Sequence, residues 1–490
     1  MNKLLFCLVV LLSVAARAQA DPLPPPSQEP DRTTTVAPSP AKPFLIAPLK
    51  EGLLGNGVRL ALMELNRLPL VCVNIVLPMG GSALDLREKS GLASLVASLM
   101  TEGSGALNGS QFAQALDDIG ALIHVAVSRD ALSVVVFAAK ENIGQALGLA
   151  AQAIRKPTLP QADFDRIKDE MLAGLRQEKG NPGSQAEKKL NLRLYPDHPY
   201  GAAADEASVA ALTLADAENF AENRLSPQGA IIAAGGDISL PEFEAMAAKH
   251  FESWKPQKGA SIASGGAPSS LNQTAQGIII DLIDMPGSLQ SSIRAGQRGI
   301  TRNDPDYMAL AVMNFLLGRD SIVSRLGHNL REVHGWTYGA RSDLEALKLA
   351  GALTIEADVQ TDATAAAVGE ILKELNRLRD EEVPAAELDA IKHLMAGHFM
   401  QRQQTVQALA SQASTIELYG LPTDELAAYR DRVMAVTPKQ LQAVARKYLR
   451  PESLQIAISG DAAKVIEGLS AIGRVREFSA DGRPKPAGFF

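Results

Sequence analysis

LPQADFDRIK, residues 159–168, returns as VPAAELDAIK, residues 383–392, at an offset of 224 (159 to 383). At the same offset Thr213 meets Thr437, Leu225 meets Leu449 and Pro227 meets Pro451, while IIAAGGD from Ile231 meets QIAISGD from Gln455. An ungapped register held across roughly seventy positions implies duplicated domains. The seam between the copies is 255–276, KPQKGASIASGGAPSSLNQTAQ, a Gly/Ser/Pro/Ala linker with few large apolar residues. Each copy opens on alternating strands, at 59–77 and 278–300. Amphipathic helices follow, then strands within 121–139 and 350–359, long helices, and a closing strand at 230–234 and 454–459. Strand runs separated by helical blocks predict an α+β fold, with helices on one face of a mostly antiparallel sheet in each lobe. The expected lobes are 49–254 and 277–475, with a tail at 476–490.

Outward from the repeat, residues 1–20 carry Lys3, an apolar run over 4–16 and then Ala18-Gln19-Ala20. That is the pattern of a secretory signal peptide cut before Asp21, and the run is too short to span a bilayer. Residues 21–48 are proline-rich and are expected to form an extended leader. Loss of Lys3 and Arg17 leaves 46 basic against 55 acidic residues, a mature net charge of −9 instead of −7. Aromatics are 4% of the chain and no basic block interleaves with them, which argues against nucleic-acid binding. Of the two cysteines, Cys7 falls in the signal, so the mature chain has no internal disulfide and Cys72 reads as core.

The segment 314–342, NFLLGRDSIVSRLGHNLREVHGWTYGARS, reads as a helix end, a turn at Gly318, a second helix from Ser324 to Glu332, a break at Gly335 and a strand from Thr337. Arg331 and Tyr338 thereby meet on the rim of a sheet. A fixed cation beside a phenol can grip a peptide carbonyl and the oxyanion it becomes; an ordinary helix-to-strand joint gives the same residues a merely structural place. The pattern SRL…LRE..G..Y resembles the second domain of the pitrilysin/insulinase family of zinc metallopeptidases. In that family an Arg and a Tyr at this spacing sit opposite the metal and hold the substrate backbone. The resemblance implies two similar lobes facing each other around a chamber. It also implies a loop, here containing Gly318 and Ser324, that helps admit substrate, although a simple helix cap fits these two residues equally well. Trp336 reads as core packing.

Family members that cut peptides carry H-x-x-E-H on a helix of the first lobe and a Glu ligand about 76 residues later. The flanks of that motif survive here as Gly91-Leu92-Ala93 and Leu99-Met100-Thr101-Glu102-Gly103-Ser104. Between them, Ser94 and Ser98 stand at the histidine positions, Ala97 at the catalytic Glu, and Gly174 where the third ligand is expected. Neutral hydroxyls are poor zinc ligands, and neither H-x-x-E-H nor H-E-x-x-H occurs elsewhere in the chain. His393 and His398, five apart, do not share a helix face, and His198-Pro-Tyr-Gly201 matches a recurrent family loop that reads as structural.

The resemblance therefore implies a non-catalytic subunit with no metal of its own. It would contribute Arg331 and Tyr338 to a paralogous partner that carries H-x-x-E-H and zinc, act on peptide substrates, and reside in the periplasm or outside the cell. The alternative is a non-enzymatic peptide-binding or assembly protein on the same fold.

Overall fold

The computed structural model describes residues 46–255, 277–480 and 482–485. The expected signal, nearly all of the leader and all but the first residue of the seam lie outside the described residues.

Leu45–Phe490 form one compact unit built on two six-stranded sheets. The first contains β1 (Lys50–Leu53), β2 (Arg59–Glu64), β3 (Leu70–Leu77), β4 (Leu122–Val127), β5 (Leu132–Ala139) and β6 (Ile231–Gly236), in the order β1-β2-β6-β3-β5-β4. The second contains β7 (Ile279–Asp284), β8 (Gln290–Gly299), β9 (Thr337–Ala346), β10 (Gly351–Gln360), β11 (Gln455–Gly460) and β12 (Arg474–Phe478), in the order β9-β10-β8-β11-β7-β12. Without the outer strands β1 and β12 the two orders coincide. Pairing is mostly antiparallel; the parallel neighbours are β2–β6, β7–β11 and β7–β12. The expected α+β architecture of two like lobes is what the chain adopts. The second lobe runs three residues past the expected edge at 475, because Phe478 is buried and Arg476 pairs with the fully buried Asp281.

Ten of the helices build the cores and position the site: α1 (Leu92–Leu99), α2 (Ile143–Arg155), α3 (Gln161–Glu178), α4 (Pro182–Leu194), α5 (Leu214–Asn223), α6 (Tyr307–Asn314), α7 (Thr364–Asp380), α8 (Ala385–Arg402), α9 (Val406–Tyr419) and α10 (Pro438–Tyr448). The sequence repeat is a repeat of physical devices. Thr213 and Thr437 close capping boxes on α5 and α10, each satisfying helix N–H groups that have no partner within the helix. Lys168 on α3 donates to the carbonyls of Ala210 and Leu212 at 2.8 and 2.7 Å. Lys392 on α8 donates to those of Met434 and Val436 at 3.1 and 3.2 Å, the same three positions 224 residues on (168 to 392).

In strand β3 the alternation divides two environments. Val71, Val73, Ile75 and Leu77 enter the first core with α1, α2 and α5, whereas Cys72 and Asn74 face the other way. That second face is covered by α9, a helix of the other half: Cys72 packs on Val406 and Ala410, and Asn74 donates to the Ser414 hydroxyl at 2.8 Å. Gly235 permits the approach, since a Cβ there would lie 2.5 Å from the Val406 carbonyl oxygen. Reciprocally, α4 of the first half covers the second sheet through Ala186, Leu190 and Leu194 against Ala352 and Ala457. Helices thus occupy one face of each sheet as expected, and the opposite face takes a helix exchanged from the other half.

Burial pushes the Cys72 thiol up to about 12, leaving almost no thiolate at neutral pH. We expect Cys72 to resist alkylation at pH 8 in the folded chain and to react rapidly in denaturant, read by mass spectrometry of its peptide.

Candidate functional site

The segment ahead of β9 is wound more widely than an α-helix. Phe315–Arg319 and His328–Val333 are π-helical turns, a geometry frequent at functional sites. Gly318 is buried instead of forming an open turn: a Cβ there would lie 2.5 Å from the Ser342 amide nitrogen. Ser324 is fully buried, and its hydroxyl accepts from the Gly327 N–H at 3.3 Å as a helix cap. Neither residue faces outward from the loop, whose exposed side chains include Ile322 and Val323. Arg325 anchors the segment on α8 through Nε and Nη2 to the Glu387 carboxylate at 2.8 and 2.9 Å.

Arg331 and Tyr338 are brought together. The guanidinium carbon lies 5.5 Å from the Tyr338 ring centroid, within cation–π range, and Nε is 3.4 Å from Glu332. A break in the β9–β10 register between Thr337 and Ala340 turns Tyr338 off the sheet. The Thr337 hydroxyl fixes the bulge: it accepts from the Gly339 N–H at 3.1 Å and lies within donating distance of the carbonyls of Gly339 and Asp358, at 2.8 and 2.7 Å. Tyr338 is consequently 92% exposed on an edge strand, so its phenol can meet a group from outside. Trp336 beside it is half-buried against the second core, and His334 stacks on it at 4.0 Å.

Between the halves lies a cleft of about 870 Å³, lined by α4, β9 and the 319–322 loop. Its walls interleave both charges, among them Arg129 paired to Glu345 and Arg319 paired to Asp343. Gly339, next to Tyr338, abuts Ser321 of this lining. The 198–201 loop lies between Tyr195 and Ala202 of this lining. Asp130 accepts from the hydroxyls of Tyr200 and, at 3.1 Å, Tyr419, and from the Lys348 N–H at 2.9 Å. Tyr200 in turn accepts from the Leu349 N–H at 3.1 Å. The His-Pro-Tyr-Gly loop is therefore a clasp between the halves, a structural role as expected.

On α1, Ser94 and Ser98 share an exposed face, and the Ser98 hydroxyl is turned back on the Ser94 carbonyl at 3.2 Å. Ala97 is buried, and Gly174 on α3 leaves open space where a side chain would project. Two hydroxyls, a methyl and no side chain do not make a zinc donor set. His393 lies on the surface, with Nδ1 against the Asp389 carbonyl, and His398 is half-buried beside Phe315. Among the described residues no group of three His, Cys, Asp or Glu could hold a metal ion, and no helix is long and apolar enough to cross a membrane.

Residues 71–204 match the family model for insulinase (peptidase family M16), and residues 211–395 match that for the peptidase M16 inactive domain. The chain belongs to the insulinase family. It is 22% identical over 414 residues to an uncharacterized zinc protease of Mycobacterium bovis, covering 84% of this chain and 93% of that protein. It is 26% identical over 186 residues to a non-peptidase homolog of Helicobacter pylori, 36% of this chain and 42% of that protein. The crystal structure of a peptidase M16 inactive domain from Pseudomonas fluorescens superposes with a TM-score of 0.78 at 27% identity, over 84% of this chain and 97% of that one. This insulinase-family chain is an inactive, peptidase-like member.

The helix exchange had no sequence signal of its own, and of the clasp only the His-Pro-Tyr-Gly loop was legible, because its partners lie far away in the chain.

Proposed function

We propose that this chain is the non-catalytic, substrate-binding subunit of a periplasmic two-chain zinc endopeptidase, and that it supplies Arg331 and Tyr338 to a partner carrying H-x-x-E-H. The observation that carries the reading is the survival of an exposed, preorganised Arg331–Tyr338 pair beside the cleft in a chain whose own metal positions are Ser94, Ala97, Ser98 and Gly174. The partner supplies the metal and the attacking water. In this chain Tyr338 donates a hydrogen bond to the oxygen that becomes anionic, and Arg331 holds the phenol from its face and the substrate backbone beside it. A second reading, a non-enzymatic binding or assembly protein, is favoured by the resemblance to the H. pylori non-peptidase homolog.

Purification from the native extract separates the two readings. The first expects a stoichiometric partner bearing H-x-x-E-H, with zinc and peptidase activity only in the complex. Recovery of the chain alone or as a homodimer, without zinc or activity, overturns it in favour of the second.

A further inference from the structure

A second pocket, of about 360 Å³, opens from the cleft under the α8–α9 connection and shares Arg319, Asp343 and Arg402 with it. Its volume lies in the range of small ligand sites. One part of its wall is apolar, with Phe315, Met395, and Phe399 stacked on Tyr429 at 3.9 Å, and another carries the charged pairs Arg319–Asp343 and Arg302–Glu425. Two further polar residues of the lining stand apart from these pairs. Arg402 is exposed at the mouth and makes no ion pair among the described residues, whereas Arg319 is already paired to Asp343. Gln403 lines the pocket at 8% exposure, and its Oε1 is buried without a hydrogen-bond partner. A buried amide oxygen left unmatched costs stability unless a donor arrives.

An apolar wall, a guanidinium at the lip with no ion pair among the described residues, and a buried acceptor wanting an N–H match one end of a peptide. The last residue of a chain offers a side chain, a carboxylate and its own N–H; a first residue offers an ammonium, which Arg402 would repel and for which the lining carboxylates Asp343 and Glu425 are already paired to Arg319 and Arg302. We propose that this pocket binds the C-terminal residue of a peptide with an aromatic or large aliphatic last side chain. The side chain enters between Phe315 and the Phe399–Tyr429 stack, the carboxylate meets Arg402, and the terminal N–H donates to Gln403. The proposal rests on the reading that the cleft holds peptides, and it names which end of the peptide is held.

The test is fluorescence anisotropy of the full chain with three labelled decapeptides: one ending in Phe as the free acid, the same peptide as C-terminal amide, and a head-to-tail cyclic form. We expect the acid to bind about tenfold or more tightly than the other two, the effect of one charge-assisted contact. In Arg402→Gln that preference disappears while the amide's affinity stays; Arg402 is exposed, so folding is retained, checked by an unchanged melting temperature. In Gln403→Leu the acid weakens with the preference partly kept. Equal binding of acid, amide and cyclic peptides overturns the proposal and leaves peptide holding intact. Absence of binding by all three overturns both.

Discussion

On the proposed two-chain reading, Tyr338→Phe in the assembled pair is expected to slow peptide cleavage by roughly 10²–10³, the loss that accompanies removal of one oxyanion donor, with assembly unchanged. The reason is local. Tyr338 stands on a bulge fixed by the Thr337 hydroxyl, and the Arg331 guanidinium lies against its ring. The phenol is thus held in place before substrate arrives, so the hydrogen bond to a developing anion needs little reorganisation. Removing one oxygen from a side chain that is 92% exposed should leave the fold untouched. The measurement is steady-state hydrolysis of a quenched fluorescent peptide by the reconstituted pair. The deficit belongs in kcat, because the oxyanion exists only along the reaction path. An unchanged turnover removes Tyr338 from the mechanism, and a rise in KM alone makes it a simple binding residue.

The largest stability effect is expected at Arg224→Met. Asp85 is almost completely buried, and Arg224 meets it at 2.6 Å while donating to the carbonyls of Met79 and Gly81 at 2.8 and 2.5 Å. The same carboxylate accepts from the Ala93 N–H at 3.1 Å, which fixes the start of α1, the helix of the replaced motif. Removing the cation leaves a buried charge uncompensated, at a cost of about 3–5 kcal/mol. Burial already holds the Asp85 carboxyl above its ordinary value, with Arg224 and the Ala93 N–H opposing the rise. A folded-state value above the unfolded one makes Asp85's contribution fully present below the ordinary carboxylate range and lost as pH climbs through the raised value. Without Arg224 that value climbs further. The deficit should therefore be greatest at pH 8 and shrink toward pH 5, read from urea midpoints of variant and parent. A deficit independent of pH would exclude Asp85 as its source.

Much of the fold was legible because the chain states it twice. The 224-residue register located α3 against α8, α5 against α10 and β6 against β11, since each copy repeats its caps, its carbonyl-binding lysine and its closing strand. The site was legible in part. The spacing of Arg331 and Tyr338 across a helix-to-strand break is a local geometry, and local geometry is written in neighbouring residues. Gly318 and Ser324 show the limit: their sequence fitted a substrate loop and a helix cap equally well, and only the structure makes Ser324 a buried cap and Gly318 a close passage against Ser342.

What the sequence alone determined was the duplication and the α+β pattern of each half, together with the absence of any H-x-x-E-H or H-E-x-x-H from the chain. Only the tertiary structure decided how the halves hold one another. The exchange of α4 and α9 between sheets, the Asp130 clasp and the pocket around Gln403 each join residues separated by long stretches of chain. Their contacts depend on burial and approach in three dimensions, which hydrophobic periodicity along one strand or helix does not encode.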